Sequence, residues 1–426
     1  WEVTFFMTNE LVISFMHANY MVNSYGTEKF VRELSLELNK HAIHHLSFFS
    51  FYHNYGKKSV GVTYDDRFNG IYDYYSIDPI INNYLVKYNI DKCTIHIHNF
   101  LNHDLSYIEK IIKKYNIEVC IIVHDFYILC DNYKLIHSNG TFCGGNPPDE
   151  KKCVDCDYKT NGIQHYMKMK QFLNGISYQL KNIICPSDYV KSIVISAYPE
   201  YKSRIIQRPH LKFEGHLERK SIQNQIKIGY AGIQVADKGF VDWKNLVNEL
   251  NDNHVSEYSF YYFGTGKEKI DNVTNVYVSS AEQGENAMVE AIRKEALDIV
   301  FMWTQCPETY SYVYYEMSIN GVYVLTNTNS GNIQQEIKKN KNGVVFESYS
   351  DCLNYLKDGS AVKDDINEYR ADDNFHPLKM CFNDDIDMLR SNLNLNVIND
   401  KKIKVKKQYL KMVLYYFKHI KCLKSR

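Results

Sequence analysis

Residues 118–123 read EVCIIV, a run that is apolar at every position after Glu118 and ends at His124 and Asp125. A strand of this kind has to be buried on both faces, which is typical of a parallel sheet covered by helices on both sides. Similar strand patterns, separated by helical patterns, recur at residues 11–15, 182–187 and 226–232. The sequence therefore predicts an α/β fold with doubly wound sheets, in which ligands bind at the carboxyl ends of the strands.

A charged stretch without apolar periodicity, residues 213–225, divides the chain into two parts. With 426 residues, the chain is long enough for two domains that each have their own core. We therefore predict a first domain over residues 1–212, a linker over 213–225, a second domain over 226–390 and a basic tail over 391–426.

The tail carries a strong local charge. Residues 401–426 contain ten Lys and Arg residues and no acid, although the formal net charge of the whole chain is zero. As a helix, this segment has apolar residues on one side and lysines on the other. A basic amphipathic helix is typical of a protein that binds an anionic membrane surface. The alternative is a terminal helix that crosses back to the first domain.

The segment 307–321 reads PETYSYVYYEMSING and lies between two apolar runs. It predicts a helix over residues 309–320 that ends at Gly321. At this spacing Glu308 and Glu316 lie about 12 Å apart along the helix axis and about 80° apart around it. That distance is too large for an acid–base pair in one small site. The two residues could instead hold the ends of one long ligand, and the free N–H groups at the helix start suit a diphosphate.

The pattern Pro-Glu-x7-Glu, followed by small residues and Gly321, resembles the E-x7-E signature of retaining glycosyltransferases of family 4. This resemblance implies the GT-B fold, in which two doubly wound, Rossmann-like domains face a cleft. It also implies that Glu308 faces the donor sugar and that Glu316 holds the ribose hydroxyls of the nucleotide. The alternative from the residues alone is that Glu308 complements a helix dipole and that Glu316 lies on a solvated face.

The resemblance extends to the loop before the helical pattern at residues 240–251. Lys238 and Gly239 match the Lys-Gly pair that binds the donor diphosphate in that family, whereas the Arg of the family's loop falls on Ile233. A single Lys can still hold a diphosphate, although less tightly. The positions that the resemblance assigns to donor binding are Gly232, Lys238, Gly239, Gly264, Thr309, Tyr310, Ser311, Glu316 and Gly331.

The predicted catalytic set is Glu308, His124 and Lys238. His124 follows a buried strand, where the family carries a His close to the donor sugar, and the alternative is a His that caps the core. A further departure from the family lies at Gly26, because this chain has one glycine in a loop where the family usually has two. Gly26 is predicted to approach the donor phosphate and the acceptor, and the alternative is a turn glycine.

The first domain is also predicted to supply the acceptor side of the cleft, through His98 and Asp125 as well as Gly26. His96 and His98 alternate along one strand and so share a face. Two histidines on one face could bind a metal ion, but no acidic or Cys residue adjoins them in sequence. A role in lining the acceptor side is therefore favoured.

Four cysteines lie within the loop at residues 130–157, which is rich in Gly and Pro: Cys130, Cys143, Cys153 and Cys156. The last two form a C-x2-C pair, and four thiolates could close a tetrahedral structural zinc site. Free thiols and a disulfide are the alternatives. No cofactor is predicted for catalysis, because the D-x-D patterns at residues 155–157 and 385–387 do not follow buried strands.

By this resemblance the chain is expected to be a retaining, metal-independent hexosyltransferase. It would move a sugar from a UDP- or GDP-linked donor to a glycan or lipid-linked acceptor in bacterial surface polysaccharide synthesis. The sequence predicts neither a signal peptide nor a membrane span of about 18 apolar residues. We therefore expect a cytoplasmic protein, held at the inner face of the membrane through residues 401–426, with no nucleic-acid partner. The alternatives are a degenerate partner subunit or glycan-binding module, and a nucleotide-sugar epimerase.

Overall fold

The computed structural model describes residues 9–23, 25–51, 58–222, 225–253, 255–372, 376–393, 395 and 403–424. These residues form two α/β domains, each built around its own sheet. The strands of the first sheet are β1 (Glu10–Met16), β2 (His44–Phe51), β3 (Ser59–Tyr64), β4 (Arg67–Asp73), β5 (Lys92–Ile97), β6 (Glu118–Ile122), β7 (Leu180–Cys185) and β8 (Ile205–Gln207).

The first sheet has the strand order β4-β3-β2-β1-β5-β6-β7-β8. It is parallel from β2 to β8, and β3 and β4 add an antiparallel edge. Val119 and Ile121 of β6 pack in one core, and Cys120 and Ile122 pack in another on the opposite face. The prediction of a strand buried on both faces is therefore confirmed here.

Five helices cover this sheet: α1 (Gly26–Lys40), α2 (Ile77–Lys87), α3 (Leu105–Tyr115), α4 (Lys159–Gly175) and α5 (Asp188–Ala197). Local sequence explains where α3 starts and stops. The Asp104 carboxylate accepts a hydrogen bond from the Tyr107 N–H at 3.2 Å, which satisfies one of the free donors of the first turn. The helix ends at Asn116 in the left-handed conformation, with φ of 52°.

The second domain follows β9 (Leu211–Glu214) and has a parallel sheet of order β12-β11-β10-β13-β14-β15. Its strands are β10 (Ile226–Ala231), β11 (Tyr258–Gly264), β12 (Val273–Tyr277), β13 (Ile299–Met302), β14 (Tyr323–Asn327) and β15 (Gly343–Phe346). Its helices are α6 (Phe240–Asp252), α7 (Ser280–Gln283), α8 (Ala287–Glu295), α9 (Tyr312–Ser318), α10 (Asn332–Asn340), α11 (Tyr349–Lys357) and α12 (Gly359–Ala371). The two predicted doubly wound sheets are thus present.

The chain crosses between the two domains twice, and the two crossing strands pair with each other. β9 pairs antiparallel with β16 (Lys379–Phe382), which follows α12. After β16 the chain returns to the first domain, where Ile386 and Leu389 join the core below β1. Arg390 makes a salt bridge of 2.7 Å with the buried Glu10 of β1. The segment 383–390, which the sequence places with the second domain, therefore packs on the first.

The last helix, α13 (Tyr409–Lys424), lies against the antiparallel edge of the first sheet. The Tyr415 ring contacts Phe49 at 5.8 Å and Phe68 at 5.2 Å between ring centroids. The predicted tail is described over residues 391–393, 395 and 403–424, and its helix begins later than residue 401. In the described part of the chain, no helix is both long enough and apolar enough to cross a bilayer.

Candidate active site

Two adjoining cavities, of about 430 and 490 Å³, lie between the domains at the carboxyl ends of both sheets. Gly26 from the first domain and Lys238 and Glu308 from the second line both of them. The larger space also contains His124 and Asp125, whereas the smaller one extends to Glu316. The structure therefore brings most of the predicted site residues together in one cleft.

The prediction of a helix that starts at residue 309 is wrong. The helix α9 begins at Tyr312, and Ser311 caps it by accepting a hydrogen bond from the Tyr314 N–H at 3.3 Å. Thr309 lies at a bend outside the helix, and its hydroxyl donates to the His124 carbonyl oxygen at 2.6 Å, across the domain boundary. The Thr309 carbonyl accepts from the Ser187 hydroxyl at 2.9 Å. Tertiary contacts thus override the local helical pattern.

Glu308 is therefore not part of a helix and forms a short parallel bridge with Gly331. The Asn332 N–H donates to the Glu308 carbonyl oxygen at 2.8 Å. Gly331 has φ of +64°, and a Cβ atom there would lie 2.6 Å from that same carbonyl oxygen. Only glycine permits this close approach. Gly331 lines neither cavity, so it affects the site only through the position of Glu308.

The Glu308 carboxylate makes a salt bridge with Lys238, with 2.5 Å between Oε1 and Nζ. Burial opposes the charge of Lys238, but the adjacent Glu308 carboxylate raises its pKa above the ordinary value. Lys238 ends a short 3-10 turn, and Gly239 follows with φ of 81°. A Cβ at Gly239 would lie 2.1 Å from the Trp303 carbonyl oxygen, so this glycine lets the loop pack closely on the residue that follows β13.

Glu316 lies on α9 and is only 7% exposed. Its Oε1 atom is 3.4 Å from the Nζ atom of Lys29, on α1 of the first domain. Burial raises the pKa of Glu316, and Lys29 opposes that rise. The neighbouring pair Arg32 and Glu285 also joins the two domains, at 3.0 Å. Sequence reasoning missed the α1 cations because they belong to no motif and lie on an ordinary helical pattern.

His124 follows β6, and its ring packs on the rings of Phe30, His98 and His210 at 5.1, 5.4 and 5.3 Å between centroids. Burial lowers the pKa of His124 to about 3, so the imidazole is neutral. Asp125 accepts hydrogen bonds from the Asn99 side chain at 3.0 Å and from a backbone N–H at 2.9 Å. Asp125 therefore organises the loop after β6, although it also lines the larger cavity.

The other predicted positions separate into two groups. Gly232, Tyr310 and Ser311 line the smaller cavity. Gly264 does not, and a Cβ there would lie 2.4 Å from the Tyr262 hydroxyl, so its role is close packing. His98 is 3% exposed and lies behind His124 rather than in the cleft.

Sequence reasoning also missed His17 and Glu28, which line the larger cavity on the first-domain side. The His17 Nε2 atom lies 3.3 Å from Oε1 of the fully buried Glu28. His17 follows β1, and its position at a strand end was the available signal.

Cys130, Cys143, Cys153 and Cys156 are free thiols, so the disulfide alternative is not formed. Burial and the other three thiols raise the pKa of Cys130 to about 11. Among the described residues, groups of three or more His, Cys, Asp or Glu side chains arranged to hold a metal ion are absent. Structural zinc in this loop stays a prediction.

Searches with the sequence found no matching family model and no matching curated protein. Solved structures do match. Sucrose-phosphate synthase from Thermosynechococcus elongatus aligns with a TM-score of 0.52 and 11% identity, over 86% of this chain and 95% of that chain. A glycosyltransferase from Rickettsia africae gives the same values.

The chain has the GT-B fold. The predicted fold class is therefore confirmed, including the cleft between two Rossmann-like domains. In this GT-B chain, the second sheet places Lys238, Glu308 and Glu316 on one wall of the cleft. On the opposite wall lie His17, which follows β1, and His124, which follows β6. His98, which follows β5, lies behind His124.

Proposed function

We propose that this GT-B protein is a glycosyltransferase that binds a nucleotide-sugar donor, UDP- or GDP-linked, in the cleft. The observation that carries the proposal is the convergence of Lys238, Glu308 and Glu316 on one cavity of about 430 Å³ at the carboxyl ends of the second sheet. Cavities of about 300 to 1,000 Å³ suit ligands of this size. The matching structures support the proposal through the fold.

In this proposal Glu316 accepts hydrogen bonds from the ribose hydroxyls, and Glu308 accepts them from hydroxyls of the transferred sugar. Lys238 compensates the charge of the diphosphate. Among the described residues that line the smaller cavity, Lys29 and Lys238 carry positive charge. Lys29 therefore supplies a second cation to the cavity that Ile233, at the position of the Arg of family 4, also lines.

We propose that transfer occurs with retention at the anomeric carbon. As the bond from that carbon to the diphosphate breaks, negative charge develops on the leaving oxygen and positive charge on the sugar ring. Lys238 stabilises the leaving group without a metal ion, because its charge is fixed where the negative charge develops. The acceptor hydroxyl attacks from the face that the diphosphate leaves and transfers its proton to a diphosphate oxygen.

The acceptor is proposed to approach through the cavity of about 490 Å³, whose first-domain wall includes His17 and His124. A glycan or a lipid-linked glycan of bacterial surface polysaccharide synthesis fits this role. The helix α13 exposes Tyr409, Val413 and Leu414. Beside these apolar side chains its lysines favour an anionic surface. We therefore propose a protein held at the inner face of the cytoplasmic membrane.

The test is thermal stabilisation by a panel of nucleotides and nucleotide sugars. A ligand at 100 times its dissociation constant adds about 2.7 kcal/mol to the free energy of unfolding. We expect one base to stabilise the wild type, Glu316→Gln to lose that effect, and Glu290→Gln, an exposed change on α8, to keep it. Absence of binding at millimolar concentration would favour a degenerate partner subunit.

The reaction is tested by product analysis with the donor that binds. Nuclear magnetic resonance of the product reports the anomeric configuration, and inversion would contradict the proposed retention. Conversion of the donor without an acceptor into an epimeric nucleotide sugar would identify an epimerase instead.

A further inference from the structure

A third cavity, of about 620 Å³, lies in the first domain outside the cleft, and we call it the α3–α4 groove. Its walls are the loop after β5 with the start of α3, the loop after β6, and one face of α4. The residues that α4 contributes follow the three- and four-residue spacing of a single helix face: Asn161, Gln164, His165, Lys168, Met169, Gln171 and Phe172. The residues that line the two cleft cavities are all different from those of the groove.

Polar side chains of the groove offer hydrogen-bonding groups that the protein itself does not use. Asp104 caps α3 and Glu109 pairs with Lys113 at 2.6 Å, so these two acids already have partners. Other side chains of the groove make no side-chain hydrogen bond within the described ranges: Asn102, Asp131, Asn161, Gln164, Lys168 and Gln171. An amide side chain has both donors and an acceptor, so these groups match a ligand with many hydroxyls.

His165 adds one more acceptor, and its geometry fixes which nitrogen is free. Its Nε2 atom lies 2.5 Å from the Tyr127 carbonyl oxygen. A carbonyl oxygen can only accept, so Nε2 carries the proton. Burial lowers the pKa of His165, so the ring is neutral and Nδ1 has a lone pair. Among the side chains that the structure describes, none donates to this Nδ1 atom.

Aromatic rings add apolar faces beside these polar groups. The Tyr127 ring lies edge-on to the His165 ring, with 4.4 Å between centroids, and Phe100 contacts Phe172 at 5.9 Å. Both phenylalanines are buried, whereas Tyr127 is half-buried and keeps part of its ring available. A sugar ring carries hydroxyls around its rim and C–H groups on its faces. A cavity of about 300 to 1,000 Å³ that combines polar groups with aromatic faces therefore suits a carbohydrate.

The charges of the groove favour a ligand without charge. Lys58 and Lys168 are its cations, and Asp104, Glu109 and Asp131 are its anions. Burial lowers the pKa of both histidines of the groove, so they add no charge. The acids thus outnumber the cations, and the Asp131 carboxylate would repel a phosphate or an acidic sugar.

The groove adjoins the cleft along one short segment of chain. Phe126 lines the cleft cavity of about 490 Å³, and the next residue, Tyr127, lines the groove. Farther along, Asp131 lines the groove and Tyr133 lines the cleft cavity. A chain of sugars whose end lies in the cleft would therefore continue into the groove.

We propose that the α3–α4 groove binds an uncharged oligosaccharide, whose terminal sugar reaches the cleft as the acceptor. Gln164, Gln171 and His165 hydrogen bond with its hydroxyls, and the Tyr127 ring packs on the face of one sugar. The inference rests on the proposed function only in identifying this oligosaccharide as the acceptor. Binding itself is a property of the protein without donor.

The first test is a glycan array that carries uncharged and acidic glycans, from monosaccharides to hexasaccharides. The labelled full chain is applied without donor. We expect it to retain uncharged oligosaccharides and to retain monosaccharides less. An array on which the wild type retains no uncharged oligosaccharide would overturn the proposal.

Variants then locate the binding site, with the retained oligosaccharide as the titrant in calorimetry. Gln164→Ala, an exposed change on α4, should weaken binding about threefold to tenfold, the worth of one hydrogen bond. Lys168 and Lys170 give a matched pair, because Lys168 lines the groove and Lys170 instead pairs with Glu200 at 3.7 Å. We expect weaker binding in Lys168→Ala and wild-type binding in Lys170→Ala.

Wild-type affinity in both Gln164→Ala and Lys168→Ala would overturn the proposal. So would a loss of binding in His17→Ala alone, since that result would place the whole oligosaccharide in the cleft.

Kinetics connect the groove with the reaction. With a donor that binds, Gln164→Ala should raise KM for the oligosaccharide acceptor about threefold to tenfold, with little change in kcat. The effect should be absent with an acceptor of one sugar, which does not reach the groove. An equal effect on both acceptors would contradict the proposed role of the groove. A failure to detect transfer would count against the proposed function and leave the binding measurements valid.

Discussion

Lys29 of the first domain lies 3.4 Å from Glu316 of the second, measured from Nζ to Oε1. Both side chains are largely buried, at 12% and 9% exposure. The carboxylate that is proposed to hold the ribose therefore already has a partner from the opposite wall of the cleft. A nucleotide has to share Glu316 with Lys29 or displace it.

Replacing Lys29 with Gln should strengthen the binding of a free nucleoside, because Glu316 no longer pairs with a cation. The expected gain is about twofold to fivefold, the range of a modest ion pair. The nucleoside diphosphate should gain less, since Lys29 also lies in the cavity that would hold the phosphates. Calorimetric titration measures both, with Lys40→Gln on the exposed end of α1 as the control. Weaker nucleoside binding in Lys29→Gln would show that Lys29 contacts the nucleoside directly.

Glu33, on the same helix, should make the stability of the protein pH-dependent. Burial raises its pKa to about 7, whereas Lys29 and Arg32 lower it. The folded state therefore holds a proton that the unfolded state releases at about pH 4.5. The stabilisation from this proton is fully present below that pH and is lost as the pH rises toward about 7.

In Glu33→Gln this loss should disappear, so the variant should be more stable than the wild type at pH 8, by about 1 to 3 kcal/mol. At pH 5 the two proteins should differ little. Thermal unfolding at both values measures the effect, and Glu290→Gln serves as an exposed control. Equal stability differences at the two pH values would rule out Glu33 as the titrating group.

Gly331→Ala should damage the donor site. A Cβ atom at Gly331 would meet the Glu308 backbone, whereas Gly140, which also has a positive φ, has open space around it. Both Ala variants pay backbone strain of about 1 to 2 kcal/mol. Only Gly331→Ala should also shift Glu308, with about 1 to 3 kcal/mol of added overpacking cost. Thermal unfolding of the two variants measures the backbone strain, and donor titration measures the effect of displacing Glu308. Similar donor binding in both variants would contradict the assigned role of Gly331.

Glu308→Gln should separate nucleotide binding from transfer. The change frees Lys238 from its salt bridge, so the dissociation constant of the nucleoside diphosphate should stay the same or fall. Transfer should slow roughly 100-fold, as when one group that stabilises a transition state is removed. Steady-state kinetics and nucleotide titration measure the two effects. A parallel loss of nucleotide affinity would show that the salt bridge itself builds the phosphate site.

The cysteine loop offers a test of structural zinc. If zinc is bound, metal analysis should find one zinc per chain, and a chelator should lower the melting temperature. Cys153→Ser should lower the zinc content in the same way, whereas Cys352→Ser, far from this loop in the second domain, should not. A protein that contains no zinc, and whose melting temperature does not change in the chelator, would contradict the prediction of structural zinc.

The fold could be predicted because its signals are local. The apolar run at 118–123 is buried on both faces, and the helix after Asp104 starts at its capping residue. Lys238 and Glu308 could be predicted to lie in the cleft because short motifs surround them. Their salt bridge could not, since 70 residues separate them in the chain.

Contacts across the domain boundary were beyond sequence reasoning for the same reason. Residues 309–311 have a helical pattern, yet they lie outside the helix, where two hydrogen bonds join Thr309 to the first domain. The hydrogen bonds of Ser14 with His45 and His98 also join different strands, and each of these residues alone looks like an ordinary core residue. The return of residues 383–390 to the first domain also depends on a partner, Glu10, at the opposite end of the chain.

The pairing of β9 with β16 makes the second domain an insertion in the first. The chain leaves the first domain at β9 and returns to it after β16, so the two connections form one two-stranded link. Two strands bonded side by side can bend together, but they resist rotation of one domain about the other. We therefore expect the cleft to open by bending of this two-stranded connection, with Lys29 moving away from Glu316 and uncovering the proposed ribose site.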